Sequence, residues 1–256
     1  IKPLYYARTA GGDLAFASEV PALLAAGEVD RGIDPQRLYE YLRFGISDYG
    51  ERTLLAGVRQ LPPGHLMRVP LEGAGGAGVP PLPRPVRYWR PEPDRPCELS
   101  FEAAAERLRE TFLTNVRLHL RSDVPVGTAL SGGVDSSAIV CAIRRVAGPR
   151  RPIHAFSYVA DDPALSEAPW VDLVGRYADL RVHKVSAEPG ELVADLDDLI
   201  AAQGEPFSST SMYVQYRVFR LAAEAGVKVM LDGQGADELL AGYRYYVGAA
   251  VTSLLR

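Results

Sequence analysis

Apolar positions along the chain change period near residue 100, and this change divides the sequence into two halves. Beyond it, Phe101, Leu108, Phe112, Val116 and Leu120 recur at helical spacing behind Ser100, predicting an amphipathic helix to about residue 121. Strand-like runs and helical patterns then alternate. Strands are expected at 124–130, 153–159, 180–185 and 227–231, and helices at 135–146, 166–177, 192–202 and 212–225. Such alternation predicts a parallel sheet with helices on both faces and ligands at the carboxyl ends of its strands. The first half reads differently. Short strands are expected at 3–7, 14–17 and 64–69, a helix at 35–44 behind Asp34 with proline at its first position, and a last strand at Tyr88–Trp89. Between the halves, the glycines of 73–78 and the prolines at 80, 81, 83 and 85 predict an exposed, partly extended linker.

The strongest chemical signal lies where the strand at 124–130 gives way to a helix, in Leu130-Ser131-Gly132-Gly133-Val134-Asp135-Ser136-Ser137. Glycines in such a turn let the backbone take up positive φ and approach a ligand, and the amides and dipole of the new helix favour an anion. Ser131, Ser136 and Ser137 add hydroxyl donors. The Gly-Lys-Ser/Thr ending of a Walker loop is missing; Asp135 stands there instead, a hard oxygen ligand suited to Mg²⁺. A second strand-to-turn passage follows the run at 227–231, in Asp232-Gly233-Gln234-Gly235-Ala236-Asp237-Glu238-Leu239-Leu240-Ala241-Gly242-Tyr243, with acids at the start of a helix.

The first motif resembles the pyrophosphate loop of ATP-pyrophosphatases that adenylate a substrate, a group including asparagine synthetases, GMP synthetases and tRNA-modifying enzymes. The second is similar to the Ser-Gly-Glu-Gly-Ala-Asp-Glu-Leu-Phe-Gly-Gly-Tyr segment of the asparagine synthetase family. Residues 1–7, 16–19 and Leu61-Pro62-Pro63-Gly64-His65 look like the tail of the class II glutaminase domain that precedes the synthetase in that family. The resemblance implies a glutaminase tail over 1–72, a linker and last strand over 73–97, and the first part of an ATP-dependent synthetase domain over 98–256. The fold implied for the latter is adenine nucleotide alpha-hydrolase-like. The chain starts at Ile1 without the N-terminal cysteine nucleophile of the family's glutaminases, so it reads as an internal fragment, not expected to hydrolyse glutamine or to be active alone.

By the same resemblance, Leu130, Ser131, Gly132, Gly133, Asp135, Ser136, Ser137, Tyr158, Asp232 and Gly233 hold ATP, and Asp135 and Asp237 ligate Mg²⁺. Tyr158 reads equally as a packed strand aromatic. Gln234 takes the catalytic position near the acceptor where the family usually has glutamate; an amide orients but cannot act as a base. The implied reaction is amide synthesis through an acyl-adenylate, from aspartate or a related carboxylate and glutamine-derived ammonia. The neutral Gln234 keeps other acceptors open: a sugar uronate, or closure of a β-lactam or peptide. From a different class, the chain reads as an inactive nucleotide-binding fragment. Glu205 to Ser211 reads either as a phosphate-side loop or as an ordinary helix-capping turn.

Composition changes this picture little. A net charge of −4 gives no general attraction to nucleic acid or anionic membrane, and no apolar run reaches membrane-spanning length. Cys97 and Cys141 are the only cysteines and imply no disulfide framework, so a cytoplasmic setting is expected. Both read as packing residues. The four histidines have no ligand spacing. The intact protein is expected to act on small molecules, without nucleic acid or membrane, and a homodimer is left open.

Overall fold

The computed structural model describes residues 3–47, 49–70, 82–92 and 95–254. The glycine run of the expected linker, and the first of its prolines, lie outside the described residues. The chain forms two compact units, Ile1–Cys97 with Val193–Thr210, and Glu98–Leu192 with Ser211–Arg256. Among the described residues, no helix is long and apolar enough to cross a membrane.

The first unit opens with β1 (Tyr5–Arg8) and β2 (Leu14–Ala17), followed by α1 (Val20–Ala26), α2 (Pro35–Phe44), β3 (Val58–Gln60), β4 (His65–Leu66) and β5 (Val86–Arg87). Strands β2-β1-β3 form an antiparallel sheet, and Ala7, Val20, Leu23, Val29 and Val58 make its core. Helix α2 starts as the sequence predicts. Asp34 accepts from the Arg37 amide at 3.1 Å, proline occupies the first turn, and Arg52 donates to the same carboxylate at 2.6 Å. Burial opposes ionisation of Asp34, but these donors outweigh it and hold its carboxyl below the usual range.

Four elements depart from the sequence reading. The strand expected at 64–69 is confined to His65–Leu66. Helix α1 has no capping side chain and only seven residues, so its one local signal, proline in the first turn, is weak; packing of Val20 and Leu23 into the core forms it. Strand β3 is three residues long, too short to show alternation, and exists because it pairs with β1. The last strand is Val86–Arg87, not Tyr88–Trp89, because its pairing with His65 and Leu66 ends there; the Tyr88 amide instead donates to the Gly64 carbonyl at 2.9 Å.

The second unit contains α3 (Phe101–His119), β6 (Val126–Ala129), α4 (Val134–Ala147), β7 (His154–Tyr158), α5 (Ala168–Tyr177) and β8 (Arg181–Val185). It also holds most of α6 (Pro189–Ala194). After α7 (Leu196–Gln203), which belongs to the first unit, it continues with α8 (Ser211–Glu224), β9 (Val229–Leu231), α9 (Ala236–Leu240) and α10 (Tyr245–Leu254). All sheet pairings here are parallel, in the order β8-β7-β6-β9.

Alternation along β7 assigns the two faces. Ala155 packs with Leu130, Val140, Val171 and Ala178 under α4 and α5, while Phe156 packs with Val218, Ala222 and Val227 under α8. Helices therefore cover both faces, as the alternating pattern predicts. Helix α3 lies on α4 through Phe112, Leu113, Val116, Ala142 and Ile143. The chain builds outward from β6 to β7 and β8, then returns past β6 to place β9 on its other side. That reversal puts a topological switch point between β6 and β9, where the loops leaving two neighbouring strands diverge and leave a crevice.

Candidate active site

The crevice at that switch point is built from both sequence motifs. After β6, Leu130 is buried at 2% exposure and its amide donates to the Phe156 carbonyl at 2.9 Å, carrying the sheet one residue into the turn. Gly132 then adopts φ of 81°, and a side chain there would lie 2.6 Å from Trp170 Cβ and 3.1 Å from the Val171 nitrogen. Here glycine is demanded twice, by backbone angle and by the first turn of α5. Gly133 differs from the expectation for the pair. Its φ of −68° and ψ of 167° are ordinary extended backbone, because an N-cap position needs no left-handed turn.

No side chain caps α4. The serines brace the turn instead: Ser131 Oγ accepts from the Gly133 amide at 3.3 Å and lies 3.0 Å from Ser136 Oγ, which also accepts from the Ser131 amide at 3.3 Å. Helix α4 thus begins with an uncapped first turn at Val134, Asp135 and Ser136, the arrangement that favours an anion.

The second motif lies directly against the first. Asp232 Oδ1 accepts from the Gln234 amide at 3.2 Å, tightening the turn after β9. A side chain on Gly233 would stand 3.1 Å from Asp135 Cβ and 3.4 Å from the Ser136 nitrogen, so the two turns are in close backbone approach. Asp237 sits in the first turn of α9. A Cβ at Gly242 would overlap the Asp237 carboxylate, and the Gly242 amide donates to the Asp237 carbonyl at 3.0 Å. Beside them, Tyr243 donates to Glu238 at 2.8 Å, and that bond to a carboxylate pushes the phenol up to about 12.

A cavity of about 360 Å³ opens between these turns. Leu130, Ser131, Gly133, Asp135 and Ser136 line one wall, Asp232, Gly233, Gln234 and Asp237 another, and Phe156 and Tyr158 extend from the end of β7. Ten of the twelve residues singled out from the sequence therefore meet in one place. The other two do not line it. Gly132 packs under α5, and Ser137 turns its hydroxyl into the interior, where it has no hydrogen-bond partner among the described residues.

The sequence reading missed most of a third wall, of which it had named only Ser211, at the end of the Glu205–Ser211 segment. Ser211, Val214, Gln215 and Val218 come from α8, and Glu167 from the residue preceding α5. The spacing 211, 214, 215, 218 is one helical stripe, so the face was present in the sequence; what it faces was not. Glu205 to Thr210 belong to the first unit, where Tyr41 donates to the Phe207 carbonyl at 2.7 Å.

The charged side chains lining the cavity, among the described residues, are Asp135, Glu167, Asp232 and Asp237, all acidic. No group of three His, Cys, Asp or Glu residues is close enough to hold a metal ion by itself among the described residues. Two carboxylates backed by ligand phosphates and water suit Mg²⁺, which keeps several waters and takes few protein ligands.

Comparison with known proteins agrees with this picture. Residues 107–255, more than half of the chain, match the family model of asparagine synthase, and residues 1–76 match that of a glutamine amidotransferase domain. The chain is 26% identical over 265 residues to asparagine synthetase [glutamine-hydrolyzing] 3 of Bacillus subtilis, covering 99% of this chain and 41% of that protein. It is 33% identical to a putative asparagine synthetase of Mycobacterium bovis, over 96% of this chain and 36% of that protein. The amidase chyE of Penicillium rubens is 26% identical, over 95% of this chain and 36% of its own length. The chain thus spans less than half the length of these relatives. Among solved structures, a glutamine-dependent NAD+ synthetase from Acinetobacter baumannii superposes with a TM-score of 0.41 at 19% identity, covering 58% of this chain and 29% of that one. The match over residues 107–255, which includes both turns lining the cavity, identifies the chain as a member of the asparagine synthase family.

Proposed function

We propose that the second unit carries the nucleotide site of an ATP-dependent, amide-forming ligase that activates a carboxylate as an acyl-adenylate. Residues 98–256 would supply the first part of the synthetase domain, 1–72 the end of a glutaminase domain, and 73–97 the connection between them. The observation that carries this reading is the meeting of two distant turns, 130–137 and 232–237, around one cavity at the switch point of a parallel sheet.

In this reading the phosphates of ATP lie against the first turn of α4, with Ser131 and Ser136 free to exchange their mutual hydrogen bond for phosphate oxygens. Leu130, Gly133, Asp232 and Gly233 bring backbone close to the nucleotide, Tyr158 flanks its base, and Gly132 and Ser137 shape the turn from beneath. Asp135 and Asp237 would hold Mg²⁺, which when bound offsets the charge that develops on departing pyrophosphate. Because no cationic side chain lines the cavity among the described residues, the chain's own contribution to phosphate binding rests on amides and hydroxyls. Gln234 stands where the acceptor is activated and orients it without taking a proton. Ammonia derived from glutamine then displaces AMP, aspartate being the first acceptor to test.

The test uses the complete polypeptide in which this chain occurs. Asp135→Asn and Asp237→Asn should each lower acceptor-dependent pyrophosphate release by about 10²-fold or more while leaving thermal unfolding nearly unchanged. Wild-type rates in both variants would exclude the shared site. The neutral Gln234, beside the likeness to relatives named amidases, favours a second reading, in which the acceptor is a carboxylate other than aspartate. A panel of carboxylic acids assayed for AMP formation separates the two.

A further inference from the structure

Glu167 occupies the residue before α5, a position where Ser, Thr, Asp or Asn would cap the helix. It does not cap it: its side chain makes no capping hydrogen bond. Its carbonyl accepts from the Trp170 and Val171 amides at 3.0 and 3.1 Å, which fixes its backbone in the first turn of α5. The same turn abuts Gly132. Glu167 is among the residues that line the cavity; it is exposed, and among the described residues its carboxylate has neither a hydrogen-bond nor an ion-pair partner. A carboxylate with no structural partner, on a residue that lines a site, is available for that site's chemistry.

The other acids of the cavity have occupations. Asp232 tightens its own turn, and Asp135 and Asp237 sit at the starts of α4 and α9, on the two turns that meet. Gln234 is neutral: its amide oxygen can accept a hydrogen bond from an ammonium ion but cannot take its proton. Glu167 is then the lining carboxylate left for the amine.

We infer that Glu167 receives the amine nucleophile and takes its proton, the task that Gln234 cannot perform; this rests on the acyl-adenylate reading above. An ammonium ion gives one proton to a Glu167 carboxylate oxygen. The nitrogen lone pair so released forms the C–N bond at the acyl carbonyl. The C–O bond to AMP breaks with its electron pair leaving on the AMP phosphate, and the second surplus proton of the nitrogen passes to that phosphate or to water. The walls therefore fit a cationic amine partner.

The experiment compares Glu167→Gln and Glu167→Asp with wild type in the complete polypeptide, using L-aspartate and the acid panel as acceptors. Three readouts are taken: acceptor-dependent ATP–pyrophosphate exchange, amide formation from ammonium chloride, and hydroxamate formation from hydroxylamine, which is already unprotonated at neutral pH. Glu167→Gln should keep exchange and hydroxamate formation within about threefold and lower amide formation from ammonium by about 10²-fold, with its rate rising steeply as pH increases. Glu167→Asp should recover part of the loss. Equal loss in all three readouts would overturn the inference in favour of a nucleotide-side role, and unchanged amide formation would overturn it outright. Absence of exchange in wild type with every acid overturns the acyl-adenylate reading itself, and this inference with it.

Discussion

The two glycines of the turn between β6 and α4 look equivalent in sequence, and the structure predicts that alanine will separate them. At Gly132, φ of 81° costs an L-residue about 1–2 kcal/mol. The added methyl would also meet Trp170 Cβ at 2.6 Å and the Val171 nitrogen at 3.1 Å, so the first turn of α5 must move. Overpacking of that kind costs about 1–3 kcal/mol. Lower entropy of the unfolded chain returns about 0.4–1 kcal/mol. Gly132→Ala should therefore destabilise the protein by about 1–4.5 kcal/mol. At Gly133 the backbone is already one that alanine adopts, and the new methyl would meet only the rotatable Ser131 hydroxyl at 3.3 Å. There the entropic gain is set against alanine's poorer fit at the N-cap of α4, and the net change should stay within about 1 kcal/mol of zero. Urea unfolding followed by far-ultraviolet circular dichroism measures both, provided the slope with denaturant is unchanged. The reasoning is refuted if the two variants lose equal stability, or if Gly133→Ala is the worse of the pair.

Two further outcomes follow from the same geometry. His154 Nδ1 lies 3.0 Å from His183 Nε2 across β7 and β8; burial, then His183 and Arg181, hold the His154 imidazole below its ordinary value. The unfolded chain thus binds the proton first, so this stability is complete above about pH 6.5 and is lost as pH falls through the lower folded value. The urea midpoint should drop between pH 7.5 and 5, and His154→Gln should flatten that dependence; an equally steep profile in the variant counts against the pair. Gly242→Ala should force the Asp237 carboxylate to turn away and cut pyrophosphate release by about tenfold or more with little change in melting temperature. Undiminished release would show that this carboxylate position does not matter.

Much of the site was legible in the sequence because its signals are local. A strand running into Ser-Gly-Gly-Val-Asp-Ser-Ser creates an exposed helix start from backbone rules alone, and Asp232-Gly233-Gln234 makes its turn from its own side chain. The same holds for α2 behind Asp34 and for the alternation that announced a parallel sheet covered on both faces. What stayed hidden depends on contacts between distant residues. The short elements α1 and β3 carry no cap or repeat and exist only through packing and pairing. Sequence could not distinguish Gly132 from Gly133, because only the arrival of Trp170 and Val171 makes one of them obligatory. Nor could it reveal that β9 pairs with β6, which brings residues 232–237 onto residues 130–137, or that Glu167 and one stripe of α8 complete the walls. Local chemistry wrote the two turns into the chain, whereas strand order, a property of the whole sheet, decided that they share one cavity.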